Sequence, residues 1–249
     1  MRVDPPRAHR WRRRVYAAHG FFAAFLFLQM TAWLASGLVM TWLPLDLVRG
    51  ETTAAVVYPR ELKARAYAAP GGVVAQLDGA QELRLKTWRG RPVYEAESAA
   101  ETALFDAMTG ERLTPISRDL ARKIAEDDFL GDGTIVDLDL LSAPPQEYRG
   151  PRPVWRAQFD DPARTRLYVS PDEGRVMKRR NKYWRLFDFF WMLHIMDYDA
   201  REDFNNPLVR VASLTGLLFV LTGVAALGFR ARDLFARRRR QARASRAGT

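Results

Sequence analysis

An α+β module anchored by two transmembrane α-helices is the architecture this sequence predicts, on three observations. Residues 15–45 run 31 positions without Asp, Glu, Lys or Arg, and residues 211–229 run 19. A hydrocarbon core about 30 Å thick needs roughly 20 apolar helical residues to cross, so each run is long enough to span. Arginine crowds both outer flanks, with six Arg and one Asp in residues 1–14 and eight Arg and one Asp in residues 230–249. Between the runs, short apolar stretches alternate with turn residues, the pattern of small helix-on-sheet units.

The two flanks carry +5 and +7 of a formal net charge of +10, which leaves −2 on residues 15–229. Short basic segments beside spans mark the cytoplasmic side. The expected orientation is therefore both termini cytoplasmic and the central module periplasmic, in a bacterial inner membrane. Topology accounts for Arg237–Arg240, so no nucleic-acid partner is expected. The lipid bilayer is the first partner, since each basic side chain near anionic headgroups gains about 1 kcal/mol. The first run is about twice the length of a cleavable signal core and lacks a clean small-residue cleavage site. It is read as an uncleaved anchor.

The chain has no cysteine and only three histidines, His9, His19 and His194. This excludes disulfides, thiolate zinc sites, iron–sulfur clusters and covalently attached haem. It also leaves most of the module without an imidazole for acid–base or triad chemistry. No glycine-rich phosphate loop appears. Paired carboxylates carry no specificity here, with 27 acidic residues outside the tails, and no catalytic residue is assigned.

The order of elements follows from residue 46 onward. An internal repeat organises the module: Arg91-Pro92-Val93-Tyr94 recurs as Arg152-Pro153-Val154-Trp155, and Leu104-Phe105-Asp106 recurs as Leu167-Tyr168-Val169. Pro59-Arg60-Glu61-Leu62 loosely matches Ile116 to Leu120. Residues 46–115 form a degenerate first unit and residues 116–180 a second. In the second, Ser117 is the expected N-cap of a helix ending near Phe129. A strand over residues 134–141 follows, with Ile135 on one face and Val136, Leu138 and Leu140 on the other. Trp155, Ala157 and Phe159 face one way in the next strand, and turns at 160–162 and 171–174 return the chain twice. Units this small are marginal alone and would support one another.

Residues 181–206 are rich in aromatics. Phe187, Phe190, Trp191, His194 and Tyr198 fall on one helical face, and with Trp184 they read as an interfacial collar. The acids Asp197, Asp199, Glu202 and Asp203 lack the glycine and ligand phasing of a calcium loop, so no metal is expected. Pro207 suits the first turn of the second span. That span carries Ala212, Gly216, Gly223 and Gly228, and the first carries Ala32, Ser36 and Gly37, small residues that permit close helix approach.

Three segments carry a family resemblance. They are His19-Gly20 with Gln29, Trp33, Ser36-Gly37 and Met40; SRDLARKIAEDDF with Pro153-Val154-Trp155 and LYVSPDEGRV; and WRLFDFFWMLHIMDY with DFNNPL. The chain resembles the PepSY-associated transmembrane helix family, with tandem PepSY-type, cystatin-like units in its module. The resemblance implies a module that binds or restrains peptidases, or a place in haem-dependent reduction serving ferric-siderophore uptake. The larger reductases of that family have more spans, and this chain has no flavin or nicotinamide segment.

Two functions follow as expectations. In the first, His19 and His194 are haem ligands, since intramembrane histidines are rare and functional and bis-imidazole b-type haem needs no cysteine. They lie at opposite edges of the bilayer, so a homodimer would pair each with its mate, making an accessory electron carrier to a membrane reductase. In the second, each histidine is merely interfacial and the module is a non-catalytic tether for a periplasmic protein such as a peptidase.

Overall fold

The computed structural model describes residues 7–56, 61–63 and 65–247. The chain divides into two compact units, one of residues 1–42 with 188–249 and one of residues 43–187.

In the first unit, α1 (Arg7–Trp42) and α6 (Pro207–Ala247) lie antiparallel, and both are long and apolar enough to cross a membrane. Only 11% and 6% of their most apolar stretches are buried, too little for core helices of a soluble protein. Leu28 is 78% exposed and Leu227 67%, apolar surface of the kind that marks a membrane or protein contact. The helices meet along residues spaced alternately three and four apart. On α1 these are Val15, His19, Phe22, Leu26, Gln29, Trp33, Ser36 and Met40; on α6 they are Ala212, Thr215, Phe219, Thr222, Ala226 and Phe229. All are buried or half-buried. That spacing is the seam of a left-handed coiled coil. Arg12 pairs with Asp233 at one end of the seam (Nη1–Oδ1 3.2 Å), and the Tyr16 hydroxyl donates to the Ala226 carbonyl. Pro207 opens α6 as expected, and Asn206 Oδ1 caps it by accepting the Val209 N–H. The basic tail is no separate segment through residue 247, because α6 continues unbroken.

In the second unit, α2 (Leu45–Arg49), a 3₁₀ turn and α3 (Pro70–Val74) precede a three-stranded antiparallel sheet, β1 (Ala80–Trp88), β2 (Arg91–Ser98) and β3 (Thr102–Asp106). Helix α4 (Arg118–Asp128) follows, then a four-stranded meander of β4 (Ile135–Leu141), β5 (Val154–Phe159), β6 (Arg166–Val169) and β7 (Val176–Arg180). Ser117 caps α4 by accepting the Leu120 N–H, and the helix stops at Phe129. The internal repeat maps onto equivalent strands, its first motif onto β2 and β5 and its second onto β3 and β6.

Two expectations change. The match of residues 59–62 to the start of α4 falls partly outside the described residues, and 61–63 are not helical; the first unit's helix is the five-residue α3, opened by Pro70. On β4 the ladder shifts register between Ile135 and Asp137. This bulge puts Ile135 beside Leu138 in the core and leaves Val136 58% exposed.

One core serves both sheets. Ala121, Ile124 and Ala125 of α4 meet Leu138, Ala157, Phe159, Leu167 and Val169 of the second sheet and Trp88, Val93 and Leu104 of the first. The first sheet's other face, with Tyr94 and Phe105, packs on Val73 of α3. The second sheet's other face is also covered, since Tyr148 stacks on Tyr168 over Val154. The buried Trp88 indole donates to the Gly174 carbonyl at 2.8 Å, joining the β1–β2 hairpin to the β6–β7 turn.

Gly174 sits at φ +57°, and an added Cβ would lie 2.6 Å from Trp88 Cζ2. Gly174→Ala should therefore lower stability by about 2 kcal/mol, read by thermal unfolding of the full chain. Gly71→Ala, with nothing within 4 Å, should stay within about 1 kcal/mol of the parent.

Candidate functional site

His19 projects from α1 onto α6. Its ring stacks on Phe219 with centroids 4.4 Å apart and planes 7° from parallel. Nδ1 lies 3.2 Å from both the Phe219 carbonyl and the Thr222 hydroxyl oxygen. A carbonyl only accepts, and the Thr222 hydroxyl already donates to carbonyls of its own helix. Nδ1 therefore carries the proton, and Nε2 carries the lone pair. Gly223 lies against the ring, and a Cβ there would come within 3.0 Å of His19 Cε1. The adjoining cavity, about 380 Å³, is lined by Tyr16, His19, Gly223, Ala226, Leu227 and Arg230.

His194 lies in the last turn of α5 (Lys182–Ile195) and meets α1 near its other end. Its Nδ1 is 2.9 Å from Ser36 Oγ, and its carbonyl accepts the Trp33 indole N–H at 2.8 Å. Ser36 is fully buried and within reach of the Trp33 carbonyl at 3.1 Å. When its hydroxyl donates there, Nδ1 of His194 is again the protonated nitrogen. A Cβ added at Gly37 would lie 3.9 Å from His194 Cε1, an ordinary contact distance.

The structure does not bring the two histidines together. His19 and Ser36 are 17 residues apart on one helix, about 25 Å at 1.5 Å per residue. His19 lies seven residues along α1 from Arg12, about 10 Å by the same rise. Between the two histidines, Gln29 occupies the seam with its amide nitrogen buried and unpartnered among the described residues.

These residues fit a b-type haem ligand set in one respect and limit it in another. Each imidazole has Nδ1 fixed by an oxygen partner and Nε2 without a hydrogen-bond partner among the described residues, as in ligating histidines oriented by an outer hydrogen bond. At His19, Arg230 adds a cation at the cavity for carboxylates. Each site supplies one imidazole only, so a second axial histidine must come from another copy.

The aromatic segment departs from its predicted pattern. Phe187, Phe190, Trp191 and His194 are on α5 and half-buried, but the helix ends at Ile195 and Met196 turns left-handed (φ 56°). Tyr198 is thus off the helix and 52% exposed. Leu186 and Phe189 are the exposed apolar residues of α5. Trp184 lies under the Arg180 guanidinium at 4.0 Å, a cation–π contact. The Trp191 indole donates to the Arg201 carbonyl, and Arg201 pairs with the buried Asp188. The acidic patch is a closed turn: the Asp197 carboxylate accepts N–H groups of Asp199, Ala200, Glu202 and Asp203 at 2.9–3.3 Å. Among the described residues no group of three His, Cys, Asp or Glu could hold a metal ion.

The module holds two further features that sequence reasoning missed. A groove of about 650 Å³ runs beside α4, lined by Trp88, Ile124, Val176, Arg175, Asp127 and Arg179 among others. On the second sheet's other face, Glu147 accepts from Arg166 (3.0 Å), Tyr168 (2.7 Å) and Arg185 (2.9 Å). These partners come from β6 and α5, so no sequence periodicity announces them. Burial pushes the Glu147 carboxyl up, but the hydrogen bonds from Arg185, Tyr168 and Arg166 outweigh it and hold the group below its ordinary value. Burial, reinforced by Glu147, raises the Tyr168 phenol.

No described protein family matches this chain, and neither a characterised protein nor a solved structure matches it.

Because the folded-state value of Glu147 is depressed, its contribution to stability is complete above the ordinary value near 4.5 and fades as pH falls through the folded value. Glu147→Gln should cost about 2 kcal/mol near pH 7. The difference from the parent should shrink as denaturation curves are taken below pH 4.5.

Proposed function

We propose that this chain is a two-span inner-membrane protein, with both termini cytoplasmic and its α+β module periplasmic, that serves as an accessory electron carrier in membrane redox or iron handling. The observation that carries the reading is the matched environment of His19 and His194. Each has Nδ1 tied to an oxygen of the helix pair and Nε2 unengaged among the described residues, at two levels about 25 Å apart by helical rise. A homodimer would bring His19 to its mate and His194 to its mate, giving two bis-imidazole sites. Bound haem would supply one-electron redox chemistry at each site.

The chain's own residues do the rest. Phe219 and Thr222 hold one imidazole, Ser36 and Trp33 the other, and Gly223 leaves room for the His19 ring. The lipid-facing side chains of α1 and α6 exclude water from the seam. No nicotinamide or flavin segment accompanies these sites, so electrons would come from a membrane reductase partner.

A second reading, a non-catalytic tether for a periplasmic protein, draws on the groove beside α4, where Trp88, Ile124 and Val176 are flanked by charges of both signs. The resemblance to PepSY-type units supports both readings.

Absorption spectra of detergent-extracted protein test the main reading. A Soret band is expected, reduced by about half in His19→Ala or His194→Ala, with one of two sites lost in each, and absent in the double variant. No band in the parent, or a band untouched by both substitutions, would leave the tether.

A further inference from the structure

The end of the helix pair that carries the arginines holds a second cavity, which neither histidine uses. It measures about 350 Å³ and is lined by Trp11, Arg12, Phe229, Arg232 and Asp233. Asp233 holds Arg12 in place, and the Arg12 guanidinium also lies over the Phe229 ring at 5.4 Å. Arg232 makes no ion pair among the described residues. Trp11 is 61% exposed at the same level, the position where indole rings favour the boundary between headgroups and acyl chains. Arg10, Arg13, Arg14 and Arg230 are exposed nearby, and Asp233 is the one acid beside them among the described residues. One turn or more inward, both helices present exposed apolar side chains, among them Phe21 at 68% and Val224 at 63%.

Arg232, the Phe229 ring about one turn inward and the apolar track beyond it thus follow one another along the helix pair in the order of a phospholipid's own parts, with Trp11 level with the cation. We infer that this cavity seats the headgroup phosphate of an anionic phospholipid of the cytoplasmic leaflet. Arg232 contacts the phosphate, Trp11 flanks the headgroup and Phe229 the glycerol region, and the acyl chains run along the exposed apolar faces. Asp233 contributes by fixing Arg12 rather than by repelling the ligand, because its charge is already matched. The inference rests on the two-span reading above, and it differs from general attraction of the basic tail because it places the lipid at named residues.

The test uses the full chain in nanodiscs of mixed phosphatidylglycerol and phosphatidylcholine, followed by mild detergent exchange and mass spectrometry of retained lipid. Phosphatidylcholine has the same phosphate without net charge. Phosphatidylglycerol should be retained selectively, and Arg232→Gln or Trp11→Ala should each lower it about five-fold, with circular dichroism unchanged. Replacing Arg237, Arg238 and Arg239 together by Gln should leave retention within about two-fold of the parent, since these tail side chains lie outside the cavity. Retention unaffected by Arg232→Gln, or lost equally in the tail variant, would overturn the site. Displacement by free glycerol phosphate would show a soluble phosphate site instead and would overturn it too. Alkaline extraction separates the two claims. A chain stripped from vesicles refutes the spanning reading, while a chain that stays but shows no lipid preference refutes this inference alone.

Discussion

Polar side chains on two long apolar helices find their partners within the protein, and the pairing of α1 with α6 is organised by that constraint. Phe, Leu and Val dominate the exposed positions of both helices, with Thr31 and Ser213 among the few polar ones, while His19, Gln29, Trp33, Ser36, Thr215 and Thr222 are gathered into the seam. The three-and-four spacing lets one stripe do this over the whole length. His19 is satisfied by a carbonyl and a hydroxyl of α6, and Ser36 and Trp33 receive His194 from α5. The ionic pair Arg12–Asp233 lies where the apolar stretch gives way to arginines. Gln29 is the exception, its buried amide nitrogen without a partner among the described residues.

The module follows an aqueous logic. Neither sheet could bury enough apolar area alone, and α4 resolves this by contributing Ala121, Ile124 and Ala125 to a core that both sheets line. The Trp88 to Gly174 hydrogen bond and the close approach of the indole to that glycine hold the two hairpins together. Duplication supplied similar strands, but the core is held in common.

Much of this was legible from residue order. The apolar runs located both long apolar helices, Ser117 and Pro207 marked helix starts, and the Pro-Val-aromatic repeat located β2 and β5. Three things were hidden for physical reasons. Val136 breaks the alternation of β4 because a bulge adds a residue without changing its type. Tyr198 seemed in phase with α5 because spacing alone does not reveal that Met196 goes left-handed and Asp197 folds the turn on itself. The partners of His19 and His194 come from elements 158 to 203 positions away, so only the fold could name Ser36, Phe219 and Thr222.

A chain free of cysteine allows its topology to be read directly. Single cysteines at Ala100, in the exposed β2–β3 turn, and at Gln241, on the far end of α6, would be probed in spheroplasts with a membrane-impermeant maleimide. The account predicts that Ala100→Cys labels in intact spheroplasts and that Gln241→Cys labels only after permeabilisation. The reverse pattern, or equal labelling of both before permeabilisation, would contradict two membrane-spanning helices with the module on the outer side.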